Sequence, residues 1–262
     1  MKAVPGQWDD LIVRVASGVV IAGVGLGCVW AGGWLFLALT VVICAVMLWE
    51  LTRMLDDAAP ALVIAGIGGL ALLIADLLPP GFALPLLIAP AFVGFGQLRH
   101  RRATFAVFTV MILLAGFGLF VLRDEFGFIW MLWLALVVIV TDVAGYFAGR
   151  FIGGPKFWPR VSPKKTWSGT VAGWVAAALV GWAYTAQTGV GAQIIGISIA
   201  VSMASQMGDV AESAVKRRAG VKDSSNLLPG HGGLFDRFDG MLGAAVFLLL
   251  VEQLVDFPPG LP

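Results

Sequence analysis

Nine predominantly apolar stretches, near 11–30, 33–52, 61–78, 81–97, 104–122, 127–149, 169–187, 192–215 and 239–256, follow one another with short polar breaks between them. Each approaches the ~20 residues that an α-helix needs to cross a bilayer. The sequence therefore predicts an all-α, polytopic integral membrane protein with about nine transmembrane helices. A hydrophobic fraction of 59%, a charged fraction of 13% and a mean hydropathy of +0.92 exclude an ordinary soluble domain.

Charge placement gives the expected topology. With the N-terminus inside, Lys2, Arg14, Arg53, the cluster Arg99, Arg101 and Arg102, and the basic residues of 150–165 and 216–237 all fall on one side; of the 17 Lys and Arg residues, Arg123 alone falls outside. Basic residues near span ends are retained in the cytoplasm, so the N-terminus is expected inside and the C-terminus outside. The opening MKAVPGQWDDLIVRV shows no cleavable signal pattern, so the first span is expected to act as an uncleaved insertion signal. Cys28 and Cys44 lie within apolar runs without a CxxC or His partner, which gives no support to a disulfide or zinc site. Residues 1–100 read as N-terminal transmembrane helices. Residues 101–262 read as a transmembrane catalytic region with two polar cytoplasmic loops, 150–168 and 216–238.

The polar residues of the eighth stretch, Ser202, Ser205, Asp209, Glu212 and Lys216, recur at helical spacing and share one face. A carboxylate so deep in an apolar helix costs roughly 2.5–3.5 kcal/mol to insert, so Asp209 should face a cavity with a cation nearby. Lys216 can pair with Glu212, which leaves Asp209 without a local cation. Downstream, His231, Asp236, Arg237 and Asp239 cluster after Pro229-Gly230, and Gly232 and Gly233 would let the backbone approach a phosphate. Asp209 and Asp236, brought together from two segments, form a candidate Mg²⁺ site, since Mg²⁺ favours one or two carboxylates with phosphate oxygens and water.

Ser162, Lys164, Lys165 and Thr166 offer cations and hydroxyls suited to phosphates at the mouth of the seventh stretch. Asp142 is a third deep acid, with Arg150 two turns along the same face. The small pair Gly145 and Gly149 reads as helix packing. The cluster around Arg99, His100, Arg101 and Arg102 reads as an anchor against anionic lipid. Glu50 and Asp76 lie near stretch ends, where a carboxylate is inexpensive, and receive no function.

The run Ser213, Lys216-Arg217, Lys222-Asp223, Leu228-Pro229-Gly230-His231-Gly232-Gly233 and Asp236-Arg237-Phe238-Asp239 resembles the signature of bacterial phosphatidate cytidylyltransferases, the CDP-diacylglycerol synthases. Asp142, Tyr146-Phe147, Gly149-Arg150 and Ser162-Pro163-Lys164-Lys165-Thr166-Trp167 are similar to that family's other cytoplasm-facing motif. One departure is Ser168, where the family commonly carries Glu. The resemblance implies CTP and phosphatidic acid as substrates, CDP-diacylglycerol and pyrophosphate as products, and Mg²⁺ on Asp209 and Asp236. A second cation such as K⁺ would accompany it.

It further implies that Lys216, Arg217, Lys222 and Arg237 bind the lipid phosphate or the departing pyrophosphate. Asp223, His231 and Asp239 would complete the catalytic set. Asp142, Arg150, Ser162, Lys164, Lys165, Thr166, Ser213, Gly232 and Gly233 would hold substrate. The setting would be a bacterial inner membrane, with membrane lipids and a second copy in a homodimer as partners and no nucleic acid. The alternatives are a CTP-dependent polyprenol or lipid kinase, another lipid cytidylyltransferase, and an ion-coupled transporter using Asp142 and Asp209.

Overall fold

The structure, a computed structural model, describes residues 7–228, 232–252, 254, 255 and 257–260. Lys2 and His231 lie outside the described residues. Nine helices occur among the described residues, each on one of the apolar stretches: α1 Gln7–Ala31, α2 Gly33–Leu55, α3 Ala61–Ala75, α4 Pro80–Gln97, α5 Arg102–Glu125, α6 Phe128–Phe151, α7 Trp167–Thr188, α8 Gln193–Ala219 and α9 Phe235–Val251. Four of them, α2, α5, α6 and α8, are both long and apolar enough to cross a membrane. The outward faces carry large apolar side chains such as Leu62, Phe82, Phe92 and Trp182. In water such faces would drive aggregation, and in a bilayer they meet lipid.

The fold is not purely helical. The segment after α6 forms an antiparallel hairpin, β1 Lys156–Trp158 and β2 Ser162–Thr166, paired Lys156 to Thr166 and Trp158 to Ser162. Gly153 and Gly154, at φ 67° and 107°, turn the chain out of α6 in a way that favours glycine. Thr166 then caps α7, its hydroxyl accepting from the Gly169 amide at 3.2 Å. The Ser168 hydroxyl bridges Thr166 Oγ1 and the Gly153 carbonyl, tying both ends of the hairpin together.

Two apolar cores divide the interior. One gathers Leu48 and Leu51 of α2, Ile64 and Leu72 of α3, Leu87 of α4 and Phe105, Ile112 and Leu113 of α5. The other gathers Trp133, Leu134 and Val137 of α6 with Ala177 of α7 and Ile194 and Val201 of α8. Helix α9 joins them: Phe235 enters the first core, where it meets Phe108 edge-on at 6.0 Å, and Ala244 and Leu248 enter the second. The ring at the start of α9 therefore fixes where the adjoining polar residues begin.

Helices α8 and α9 cross at glycines. A Cβ on Gly208 would collide with the Asp239 carbonyl and sit 3.0 Å from Gly243 Cα, so the two backbones touch. A Cβ on Gly145 would likewise sit 3.3 Å from the Gly169 carbonyl oxygen, and one on Gly149 would press on Thr166, which makes the α6 pair a packing seam with the start of α7. Gly196 on α8 has open space around it. Gly208→Ala is expected to cost about 1–3 kcal/mol of stability, whereas Gly196→Ala should be nearly silent. Thermal unfolding of the two variants in the same detergent checks this difference.

Candidate active site

A cleft of ≈ 460 Å³ opens between α6, β2, α7 and α8, and Asp142, Arg150, Lys164, Lys165, Thr166 and Asp209 line it together with Tyr146 and Gln206. From α8, Gln206 and Asp209 face it, and Ser202 and Gln206 fix that helix against its neighbours. Ser202 accepts from Thr141 at 2.7 Å, and Gln206 is clamped by the Trp174 indole at 3.0 Å and the Thr170 carbonyl at 3.1 Å. Asp209 does have a cation: Lys165 Nζ lies 2.5 Å from its Oδ2, while Ser213 donates to Oδ1 at 3.3 Å. That cation comes from the hairpin rather than from α8, which is why helical spacing did not reveal it. Arg150 donates to the Tyr146 hydroxyl at 2.8 Å on the cleft wall. Ser162 sits at the far pairing of the hairpin, opposite Trp158, and is not among the lining residues.

A second polar cluster occupies the junction of α8, α9 and the loop between them. Lys216 Nζ lies 2.6 Å from Glu212 Oε2 and 2.6 Å from Asp236 Oδ1, with side-chain exposures of 13%, 1% and 7%. Lys216 is thus sandwiched between two buried acids rather than presented to a phosphate. The other Asp236 oxygen accepts from the Ser224 amide at 2.9 Å, the Ser224 hydroxyl at 3.0 Å and the Gly233 amide at 2.8 Å. Gly233 is needed here for protein packing, since a Cβ would sit 2.6 Å from Glu50 Oε1 and collide with Ser224. Gly232 adopts φ 82°, and its carbonyl accepts from the Leu228 amide at 2.8 Å. Arg217, Lys222, Asp223 and Arg237 are exposed at the same end of the molecule.

The two acids expected to share a metal therefore stand in different surroundings. Asp209 faces the cleft, and Asp236 is turned into the loop. The acid of the Asp236–Asp239 segment that lies within Coulombic reach of Asp209 and Asp142 is Asp239, brought there by the Gly208–Gly243 crossing. Lys165 is a cation within reach of both Asp142 and Asp209. These three acids offer only oxygen donors.

The structure adds residues that the sequence left without a role. Glu50 of α2 is fully buried and accepts from the Leu234 amide at 2.9 Å, the Phe235 amide at 2.7 Å, the Ser224 hydroxyl at 3.2 Å and the Ser225 hydroxyl at 2.6 Å. It is the one charged residue in the apolar stretch 33–52, and that isolation is its signal in the sequence. Arg101, read as a lipid anchor, donates to the Arg218 carbonyl at 2.6 Å and so supports the end of α8. Its neighbour Arg99 donates its amide to Asp56 at 2.7 Å, which holds that exposed carboxyl below the usual carboxylate range.

With this geometry in view, comparison with known proteins settles the family. The model of the cytidylyltransferase family matches residues 12–255. The chain belongs to the cytidylyltransferase family. Relatives in this family include the phosphatidate cytidylyltransferases of Brucella suis and Brucella abortus, each 37% identical over 95% of this chain and 96% of the relative. That of Bacillus subtilis is 32% identical over 94% of this chain and 98% of the relative. The match reaches well beyond residues 142–239, into the N-terminal helices that carry Glu50. The chain is accordingly a nucleotidyltransferase of the membrane.

Proposed function

We propose that this chain transfers the cytidylyl group of CTP to phosphatidic acid, yielding CDP-diacylglycerol and pyrophosphate at the cytoplasmic face of a bacterial inner membrane. The observation that carries the reading is the cleft in which the Lys165–Asp209 pair meets Asp142, Lys164 and Arg150. The relatives' names supply the substrates, and the one-sided placement of basic residues supports the orientation. In this reading all nine helices cross the bilayer, the N-terminus is cytoplasmic and the C-terminus outside.

A phosphate oxygen of phosphatidic acid attacks the α-phosphorus of CTP. A new P–O bond forms there, and the bond to the bridging oxygen of the departing pyrophosphate breaks. A phosphate monoester has a second pKa near ~6, so the nucleophile is already largely ionised at neutral pH and needs no strong base. Positioning and charge neutralisation then carry the rate. Lys164, Lys165 and Arg150 supply cations to the triphosphate on the cleft side, and Arg217, Lys222 and Arg237 supply them to the lipid phosphate or the departing pyrophosphate on the loop side.

Asp209 and Asp239 would offer the hard oxygen donors that Mg²⁺ favours, with phosphate oxygens and water completing its shell, since among the described residues no three His, Cys or acidic side chains stand close enough together to hold an ion. Asp209 is the first ligand in this assignment, with Asp239 as its partner and Asp142 close by. Asp236 is not the second ligand here, because Lys216, Ser224 and Gly233 already take both of its oxygens. Bound Mg²⁺ would neutralise charge developing on the phosphate oxygens. A second cation such as K⁺ and a homodimer belong to the same reading.

Pyrophosphate release by the purified protein tests it. Release should require CTP, phosphatidic acid and Mg²⁺ together and should match lipid product mole for mole. Release of CDP in place of pyrophosphate would mean a lipid kinase.

A further inference from the structure

We infer that Glu50 is a positioning residue for the transfer reaction, acting from the N-terminal helices by holding the α8–α9 loop and the first turn of α9 in register with the cleft. The first amides of a helix lack intrahelical acceptors, and the N-cap position of α9 is Leu234, whose side chain cannot cap them. Two acids from outside and inside the helix share the task. Asp236 takes the Gly233 amide, and Glu50 takes those of Leu234 and Phe235. A carboxylate at this end also opposes the positive end of the helix dipole.

Ser224 links the two acids, since its single hydroxyl proton is shared between Glu50 Oε2 at 3.2 Å and Asp236 Oδ2 at 3.0 Å. Ser225 adds a fourth donor to Glu50. Each Glu50 oxygen therefore faces one backbone amide and one serine hydroxyl, with the Ser224 proton shared with Asp236, and the partners of its fully buried carboxylate all come from the loop and the helix start. Phe235 beside it is locked in the first core. Arg237 and Asp239 follow within the next turn, so the Glu50 contacts set where both stand relative to Asp209. Glutamine at position 50 would keep the shape but turn a donor group toward one pair of donors, which releases that half of the clamp.

The inference rests on the transfer reaction proposed above, and hydrogen exchange gives it a readout independent of turnover. In full-length Glu50→Gln, amides of the peptide 224–238 should exchange on the order of tenfold faster, while peptides of α6 and α7 keep their protection. kcat should fall at least on the order of tenfold, with KM for CTP within about threefold of the parent, because the cleft lies on other elements. Ser225→Ala removes one donor only and should give a weaker version of the same pattern, a readout that survives if Glu50→Gln does not fold. Unchanged exchange at 224–238 in both variants would overturn the inference, and so would faster exchange throughout the molecule. A parent protein without transfer activity would instead overturn the reaction, leaving the exchange comparison to report on the clamp.

Discussion

Asp209→Asn should leave a folded protein whose turnover is reduced about 100- to 1000-fold and whose remaining activity needs more Mg²⁺. The side chains of Asp209 and Lys165 are 29% and 25% exposed, at the wall of an open cleft. A pair in that setting is partly solvated, so its loss should cost stability little, on the order of 1 kcal/mol or less. Lys165 keeps its contact with the Gln206 carbonyl at 3.5 Å, and the cleft wall has other supports. The deficit therefore falls on chemistry. Normal turnover, or a loss matched by unfolding of the protein, would remove Asp209 from the metal site.

Asp236→Asn should behave in the opposite way, destabilising the protein by about 3 kcal/mol while leaving the Mg²⁺ requirement of its residual activity unchanged. Asp236 is the pivot of a buried cluster. One oxygen pairs with Lys216 and the other collects Ser224 and Gly233. An asparagine must aim its amide at one of these two sets, leaving either Lys216 short of an acceptor or the loop donors unmatched. Lys216 would retain Glu212, so collapse would be incomplete. Activity should fall because the loop bearing Lys222 and the first turn of α9 lose their frame. Thermal midpoints in detergent and a Mg²⁺ titration on both variants separate the two residues. If Asp236→Asn shifted the Mg²⁺ dependence and Asp209→Asn did not, the assignment to Asp209 and Asp239 would be reversed.

How much of this was legible in the sequence depended on the range of the interactions. The nine helices were legible because an apolar run of spanning length is a local property, and each fell on its expected stretch. The inward face of α8 followed from helical period, and Ser202, Asp209 and Lys216 all find partners along it. The cleft-side group was legible too, since Asp142, Arg150, Lys164, Lys165 and Thr166 do line one cavity.

What local pattern could not supply was partnership across elements. The hairpin was missed because strands of three and five residues, one with Pro163, carry almost no periodic signal. The Lys165–Asp209 pair joins a strand to a helix, and the Glu50 clamp joins α2 to a loop far along the chain. Asp236 and Asp239 are neighbouring acids in one motif, and the sequence singles out Asp236 as the partner of Asp209. Backbone contact of Gly208 with Gly243 is what sends one toward Asp209 and leaves the other in the loop.

The most direct test of the account is the fate of two radiolabels on CTP, one on the α-phosphate and one on the γ-phosphate, when the purified protein meets phosphatidic acid and Mg²⁺ in mixed micelles. Cytidylyl transfer predicts that the α label enters the lipid phase and the γ label leaves as pyrophosphate, with Asp209→Asn slowing both about 100- to 1000-fold. Entry of the γ label into lipid, or CTP left intact with both labels in the aqueous phase, would contradict it.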